Sequence, residues 1–179
     1  MSKAVAAALE CGVTLGGPNL VEAKLARLMC ERFGAVERIR FCNSGTESNI
    51  LALSAARAFT GRSDILVVDR SCHGGVLTYT GEPPLNVPYP THRMEFNQVD
   101  AAASQVRALG DRLAAVLIEP MIGAGGGIPA DIEFLQALRA VSEENGAMLI
   151  FDEVMTSRPW RSVGECPRFG ECREGSLAL

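Results

Sequence analysis

Three short, continuous apolar runs, Ile65-Leu66-Val67-Val68, Leu113–Ile118 and Met148-Leu149-Ile150-Phe151, alternate along this chain with segments of helical period. A strand apolar on both sides needs cover on both faces, and a parallel sheet sandwiched by helices supplies it. The alternation therefore predicts an α/β domain whose sheet is mostly parallel with flanking helices. In such a sheet, ligands gather beyond the C-terminal ends of the strands.

The intervening segments carry their own punctuation. Asn19 is placed to cap a helix over 20–33, with Gly34 as its stop. Ile39 and Phe41 alternate with arginines and predict a short strand over 38–42. A helix over 46–59 closes at Gly61, and the apolar strand follows over 64–69. Glycines and prolines mark a loop over 74–90. Next come a helix over 99–109, a strand over 113–119 and a loop at the glycines 123–127. A helix over 131–145, capped by Asp131 and stopped by Gly146, leads to the last strand, over 147–151. From 157 to 179 neither period holds, so the chain divides into a domain over 1–156 and an irregular tail.

Composition narrows the function classes. A hydrophobic share of 47% against 21% charged residues is globular rather than disordered. The net charge of -4, without any long basic cluster, argues against a nucleic-acid partner. The apolar runs are too short to cross a bilayer. Lys3 followed by Ala4 to Leu9 faintly resembles a signal peptide, but Glu10 interrupts the run, so a cytoplasmic or organelle-matrix protein is expected. The 6 cysteines include no C-x-x-C pair, so no metal site is expected and the thiols read as free.

Two stretches carry chemistry. Ser44-Gly45-Thr46-Glu47 fits a capping box, with Ser44 as N-cap and Glu47 reaching back. Gly45 also lets backbone approach an anion, and hydroxyls flank free N–H groups at the positive end of a helix. Asp152, ending the last apolar strand beside Glu153, is placed to hold a protonated ring nitrogen; a helix cap or an acidic metal pair are the other readings. Cys72 and His73 follow the first apolar strand; adjacent residues on extended chain point apart, which makes His73 a pocket wall rather than a base paired with Cys72. Glu119 ends a further strand and either faces the same crevice or pairs with an arginine. The run Gly125 to Ala130 satisfies the loose G-x-G-x-x-A form, with Asp152 about twenty residues on, which keeps a dinucleotide-binding domain as a remote alternative.

The segment Phe41-Cys42-Asn43-Ser44-Gly45-Thr46-Glu47-Ser48-Asn49 resembles the cofactor-phosphate segment of the class III pyridoxal-phosphate-dependent aminotransferases. Gly16-Gly17-Pro18, Ser71-Cys72-His73-Gly74, Phe96-Asn97 and Ile118-Glu119-Pro120 match the same family in order. Phe151-Asp152-Glu153-Val154-Met155-Thr156 is similar in particular to its glutamate-1-semialdehyde aminomutase branch. The resemblance implies an incomplete fold-type I large domain of a homodimer that binds pyridoxal 5'-phosphate. It implies that Ser44, Gly45 and Thr46 hold the phosphate, Asp152 the pyridine nitrogen and Val154 one ring face, with Cys72 where the family stacks an aromatic on the other. It further implies amino-group transfer between a small-molecule donor and acceptor, or within one molecule, through Schiff bases made by a lysine some tens of residues after Asp152. Of 17 Lys and Arg residues only Lys3 and Lys24 are lysines, and both precede the cradle. A chain without that lysine is expected to be inactive alone; a non-catalytic cofactor-binding or dimerising pseudoenzyme is the alternative.

Overall fold

The computed structural model describes residues 1–12, 16–17, 19–81, 84–157 and 177–178. They fall into two units, 1–41 and 42–179. The first holds α1 (Ser2–Leu9) and α2 (Leu20–Arg32). Asn19 caps α2 as the sequence predicts, its Oδ1 accepting from the N–H groups of Val21 at 2.8 Å and Glu22 at 3.0 Å. The strand expected over 38–42 does not form. Alternation alone does not make a strand, because its N–H and C=O groups need a neighbouring edge to pair with.

The second unit is built on α3 (Gly45–Thr60), β1 (Asp64–Val68), β2 (Thr91–Met94), α4 (Val99–Leu109), β3 (Leu113–Ile118), β4 (Met121–Ile122), β5 (Ile128–Pro129), α5 (Ile132–Glu144), β6 (Met148–Phe151) and β7 (Leu177–Ala178). The main sheet runs β2-β1-β3-β6-β7, every neighbouring pair parallel. Successive residues of the central strands alternate between two cores, and β1 and β3 are buried throughout. Leu66, Val68, Val116, Ile118, Leu149 and Phe151 face α4 and α5, whose Val106, Phe134, Leu135 and Leu138 complete that layer. Ile65, Val67, Ala115, Leu117 and Ile150 face the other way, onto Ala52, Leu53 and Ala56 of α3 and onto Leu77 and Tyr79 of the loop after β1.

That division of cover fixes the topology. The chain leaves β1 over the α3 face to reach β2 on one side, then returns by α4 to place β3 on the other side. Connections from β1 and β3 thus depart on opposite faces, which opens a crevice between their C-terminal ends.

Several elements depart from the sequence expectation. Strand β2, at the sheet edge, follows directly on the proline-rich loop. The glycines 123–127 are not a plain loop: they turn the antiparallel hairpin β4–β5, with Gly126 and Gly127 at positive φ. A hairpin is not the strand–turn–helix that a dinucleotide loop requires. Asp131 is the N-cap of α5 by position, but its side chain makes no capping bond; its N–H instead donates to Asn97 Oδ1 at 2.9 Å. The irregular tail expected over 157–179 lies outside the described residues except for Ser157 and β7, which pairs with β6. No helix among the described residues is long and apolar enough to cross a membrane.

Phe134 is fully buried and meets Phe96 edge-on, ring centroids 5.7 Å apart. Phe134→Ala is expected to cost about 3–5 kcal/mol by loss of burial and the cavity left behind. The shift in urea midpoint measures it, and an unchanged midpoint would place the core elsewhere.

Candidate active site

Helix α3 begins as a capping box displaced by one residue. Ser44 Oγ accepts from Glu47 N–H at 3.2 Å, while Glu47 Oε2 accepts from Asn43 N–H at 2.7 Å rather than from Ser44 itself. The N–H groups of Gly45 and Thr46, in the first turn, lie ahead of any intrahelical acceptor. A Cβ built on Gly45 would meet nothing within 4 Å, so an anion has room to approach the helix there. The loop after β1 closes against the same end. Gly75 N–H donates to Thr46 Oγ1 at 3.2 Å, and Gly74, at φ +123°, lies so close that an added Cβ would come within 2.8 Å of Thr46 Cα.

Asp152 sits at the C-terminal end of β6 and is buried, with 4% of its surface exposed. Its N–H continues the sheet by donating to Ile118 O at 2.8 Å. Its Oδ2 accepts from Asn49 Nδ2 at 2.9 Å and lies 2.8 Å from His73 Nδ1, while Oδ1 accepts from Val154 N–H at 3.2 Å. Because that Oδ2 is a carboxylate acceptor, the His73 proton sits on Nδ1. Burial works to raise this carboxyl, but the hydrogen bond and charge of His73, with the Asn49 and Val154 donors, outweigh it and hold the pKa below the ordinary aspartate value. His73 is buried, with 1% of its surface exposed. It is a buried partner that orients Asp152, and its Nε2 and the Asn49 Oδ1 are buried without a hydrogen-bond partner among the described residues.

Glu119 ends β3, and of the two readings open to it the crevice is the one realised. Its Oε1 accepts from Gly123 N–H at 3.1 Å and its Oε2 from Cys72 N–H at 3.4 Å. Burial pushes its carboxyl above the usual range despite those bonds, and the charge of Asp152 adds to the rise. One crevice thus holds two carboxyls driven in opposite directions, the pattern of sites that assign separate roles to like groups. Cys72 points away from His73, as extended backbone requires, with Sγ 3.5 Å from Thr78 Oγ1. Val154 is 63% exposed beside the Asp152 carboxylate. Glu153, though adjacent to Asp152, turns into its own loop, where its Oε2 accepts from Thr156 Oγ1 at 3.4 Å. Among the described residues no group of His, Cys, Asp and Glu gathers to hold a metal ion.

The structure thus brings Cys72, His73, Glu119, Asp152 and Val154 to one edge of the sheet, linked through Asn49 to the helix that starts at Ser44, Gly45 and Thr46. Asn49 closes the segment that resembles the family's phosphate-binding stretch, but sequence reasoning gave it no role. Its signal was present: a polar residue on the otherwise apolar stripe Asn49, Ala52, Leu53, Ala56 that α3 buries.

A carboxyl whose folded pKa lies below its unfolded value stabilises the fold above the ordinary carboxylate range and loses that contribution as pH falls through the folded pKa. Urea midpoints of the wild-type chain should therefore drop more steeply on acidification than those of Asp152→Asn; parallel profiles would show that Asp152 is not held ionised. Gly74→Ala, forced onto Thr46 in a left-handed conformation, is expected to lose about 1–3 kcal/mol in the same assay.

Comparison with known proteins accords with this geometry. The model of the family described as aminotransferase class-III matches residues 4–158. The beta-phenylalanine transaminase of Variovorax paradoxus is 49% identical over 156 residues, covering 87% of this chain and 36% of the relative. Its crystal structure superposes with a TM-score of 0.84 over 88% of this chain and 37% of that one. A glutamate-1-semialdehyde 2,1-aminomutase of an Exiguobacterium species is 38% identical over 172 residues, covering 87% of this chain and 39% of the relative. A structure of a transaminase with PLP bound is 33% identical, with a TM-score of 0.78 over 86% of this chain and 40% of that one. The chain spans between a third and two fifths of the length of these curated relatives. On the family match, the chain belongs to the class-III aminotransferases.

Proposed function

We propose that this chain supplies the cofactor-holding half of a pyridoxal-phosphate site for amino-group transfer, and that the 179-residue polypeptide does not turn over alone. The observation that carries the reading is the buried Asp152 carboxylate, kept ionised by His73 and Asn49, on the sheet edge reached by the helix that opens with Ser44, Gly45 and Thr46. The residues present fit the group. The α3 start offers N–H groups and hydroxyls to a phosphate. Asp152 Oδ1 accepts one backbone bond and retains capacity for a ring N–H. His73 Nε2 and Asn49 Oδ1 are buried without a hydrogen-bond partner among the described residues, a feature found where a ligand or chemistry is served.

Each residue then has a task. Ser44, Gly45 and Thr46 would bind the phosphate. Asp152 would hold the protonated ring nitrogen, oriented by His73, which donates from Nδ1. By the family resemblance Val154 and Cys72 would pack against the ring, where a thiol offers less area than an aromatic would. Glu119, its carboxyl raised by burial, keeps a proton at the crevice floor more readily than an exposed glutamate. When bound, the cofactor supplies an electron sink for proton and amino-group transfer at carbon.

Moving the proton at the substrate carbon requires a free basic group in the site, which the family draws from a lysine. Lys3 and Lys24 both precede α3, so the chain's residues beyond the cradle supply no lysine for it. The homodimer and the amino donor and acceptor expected by resemblance belong to this reading, as does the choice between transaminase and aminomutase chemistry.

The purified chain should bind pyridoxal phosphate saturably, as followed by the cofactor's absorbance and fluorescence. Asp152→Asn should weaken binding about tenfold by loss of a charge-assisted bond, and no amino donor should be consumed. Absence of saturable binding would overturn the cofactor assignment. Turnover by the chain alone would overturn its incompleteness.

A further inference from the structure

We infer that Asn49 is a positioning residue that locks the phosphate cradle and the Asp152 carboxylate into one frame, so that a single amide sets the distance between the two ends of the cofactor site. The inference rests on the pyridoxal-phosphate reading above and assigns a role to Asn49, which closes the segment Phe41 to Asn49 but is given no task by that reading.

Three observations carry it. First, Asn49 Nδ2 donates to two acceptors at once, Asp152 Oδ2 at 2.9 Å and the His73 carbonyl at 3.0 Å. Carboxylate and carbonyl both lack a proton, so the amide nitrogen with its two N–H groups is the atom that faces them. Secondly, Asn49 lies four residues after Gly45, one turn along the same side of α3, so the helix that presents the cradle is the helix that holds the carboxylate. Thirdly, Asn49, His73 and Asp152 are 2%, 1% and 4% exposed, which removes water as a substitute donor.

Docking of the helix does not by itself require an asparagine. Ala52, Leu53 and Ala56 already bury the apolar stripe of α3 against the sheet, and an aliphatic side chain at 49 would extend it. What asparagine adds is a fixed pair of donors. One reaches the carboxylate at the end of β6; the other reaches the backbone of the loop after β1 that carries Cys72 and His73. Three segments distant in sequence are thereby referred to one atom. Asn49 also sustains the charge that His73 orients, since its bond favours the ionised form of Asp152.

The test uses the full chain and two readouts. In the chain without cofactor, carbon-13 NMR of the labelled Asp152 carboxyl gives its titration directly. Asn49→Leu keeps the branched side-chain shape, with added bulk, and removes both donors, so the titration should move to higher pH. Pyridoxal-phosphate affinity should fall about tenfold, the value of a hydrogen bond to a charged group, and its pH profile should shift with the carboxyl. Thr46→Ala should weaken the cofactor without moving the carboxyl titration, because Thr46 does not touch Asp152. If circular dichroism shows that Asn49→Leu does not fold, Asn49→Ala carries the same readouts. An unmoved titration overturns the inference, as does a moved titration with unchanged affinity, which would leave the amide a purely structural bond. Failure of the wild-type chain to bind the cofactor overturns the proposed function instead, and the carboxyl titration still shows whether Asn49 holds Asp152.

Discussion

A buried carboxylate is the constraint around which the second unit is arranged. Placing an ion in a protein interior costs several kcal/mol after relaxation, and Asp152 is buried at the end of the central part of the sheet. The cost is offset by donors from three directions: Asn49 from α3, His73 from the loop after β1, and the Val154 N–H from the turn that follows. None of these segments is near another in sequence. Their convergence is possible because β1, β3 and β6 run parallel and so end on one edge, and because the chain changes face between β1 and β3. The sheet supplies the edge, and the charge selects what must sit there.

Glu119 shows how finely that environment discriminates. It is as buried as Asp152, yet its partners are two backbone N–H groups rather than an imidazole and an amide. Burial then prevails and its carboxyl rises, partly because Asp152 already holds the negative charge. Two acids of similar intrinsic strength are thus separated by their neighbours alone. At neutral pH the pocket keeps Asp152 ionised while opposing the ionisation of Glu119.

The layers of this fold were legible in the sequence because they depend on local pattern. The runs at 65–68, 113–118 and 148–151 became the buried strands β1, β3 and β6, and Asn19, Ser44, Gly61 and Gly146 stand at the helix boundaries they were expected to mark. The misses are of another kind. Strand β2 is short and partly exposed, and its Thr91-His92-Arg93-Met94 owes its conformation to pairing with β1. The stretch 38–42 has the alternation of a strand and no edge to meet. Glycines 123–127 read as loop because the strands they join are only two residues long. At the site, Asp152 and the Ser44–Thr46 cradle announce themselves by position at element ends. The Asn49–His73–Asp152 cluster does not, since it joins residues 103 and 79 positions apart, and only the folded topology makes them neighbours.

On the proposed reading, binding and turnover have different structural owners. Affinity for the cofactor comes from fixed groups: helix N–H donors for a phosphate, and a carboxylate for a ring nitrogen. All of them lie within this chain and are held rigidly by β-strand ends and a helix start. Rate requires a group that moves a proton, and a mobile basic side chain does that work better than a buried one tied to a carboxylate. His73 is poorly suited to the task. Its Nδ1 is committed to Asp152, its ring is 1% exposed, and releasing it would unbalance the charge it orients. Glu119 is tied at both oxygens to backbone. The residues that hold this arrangement together are the ones least free to act, and on the proposed reading the mobile basic group is not among them.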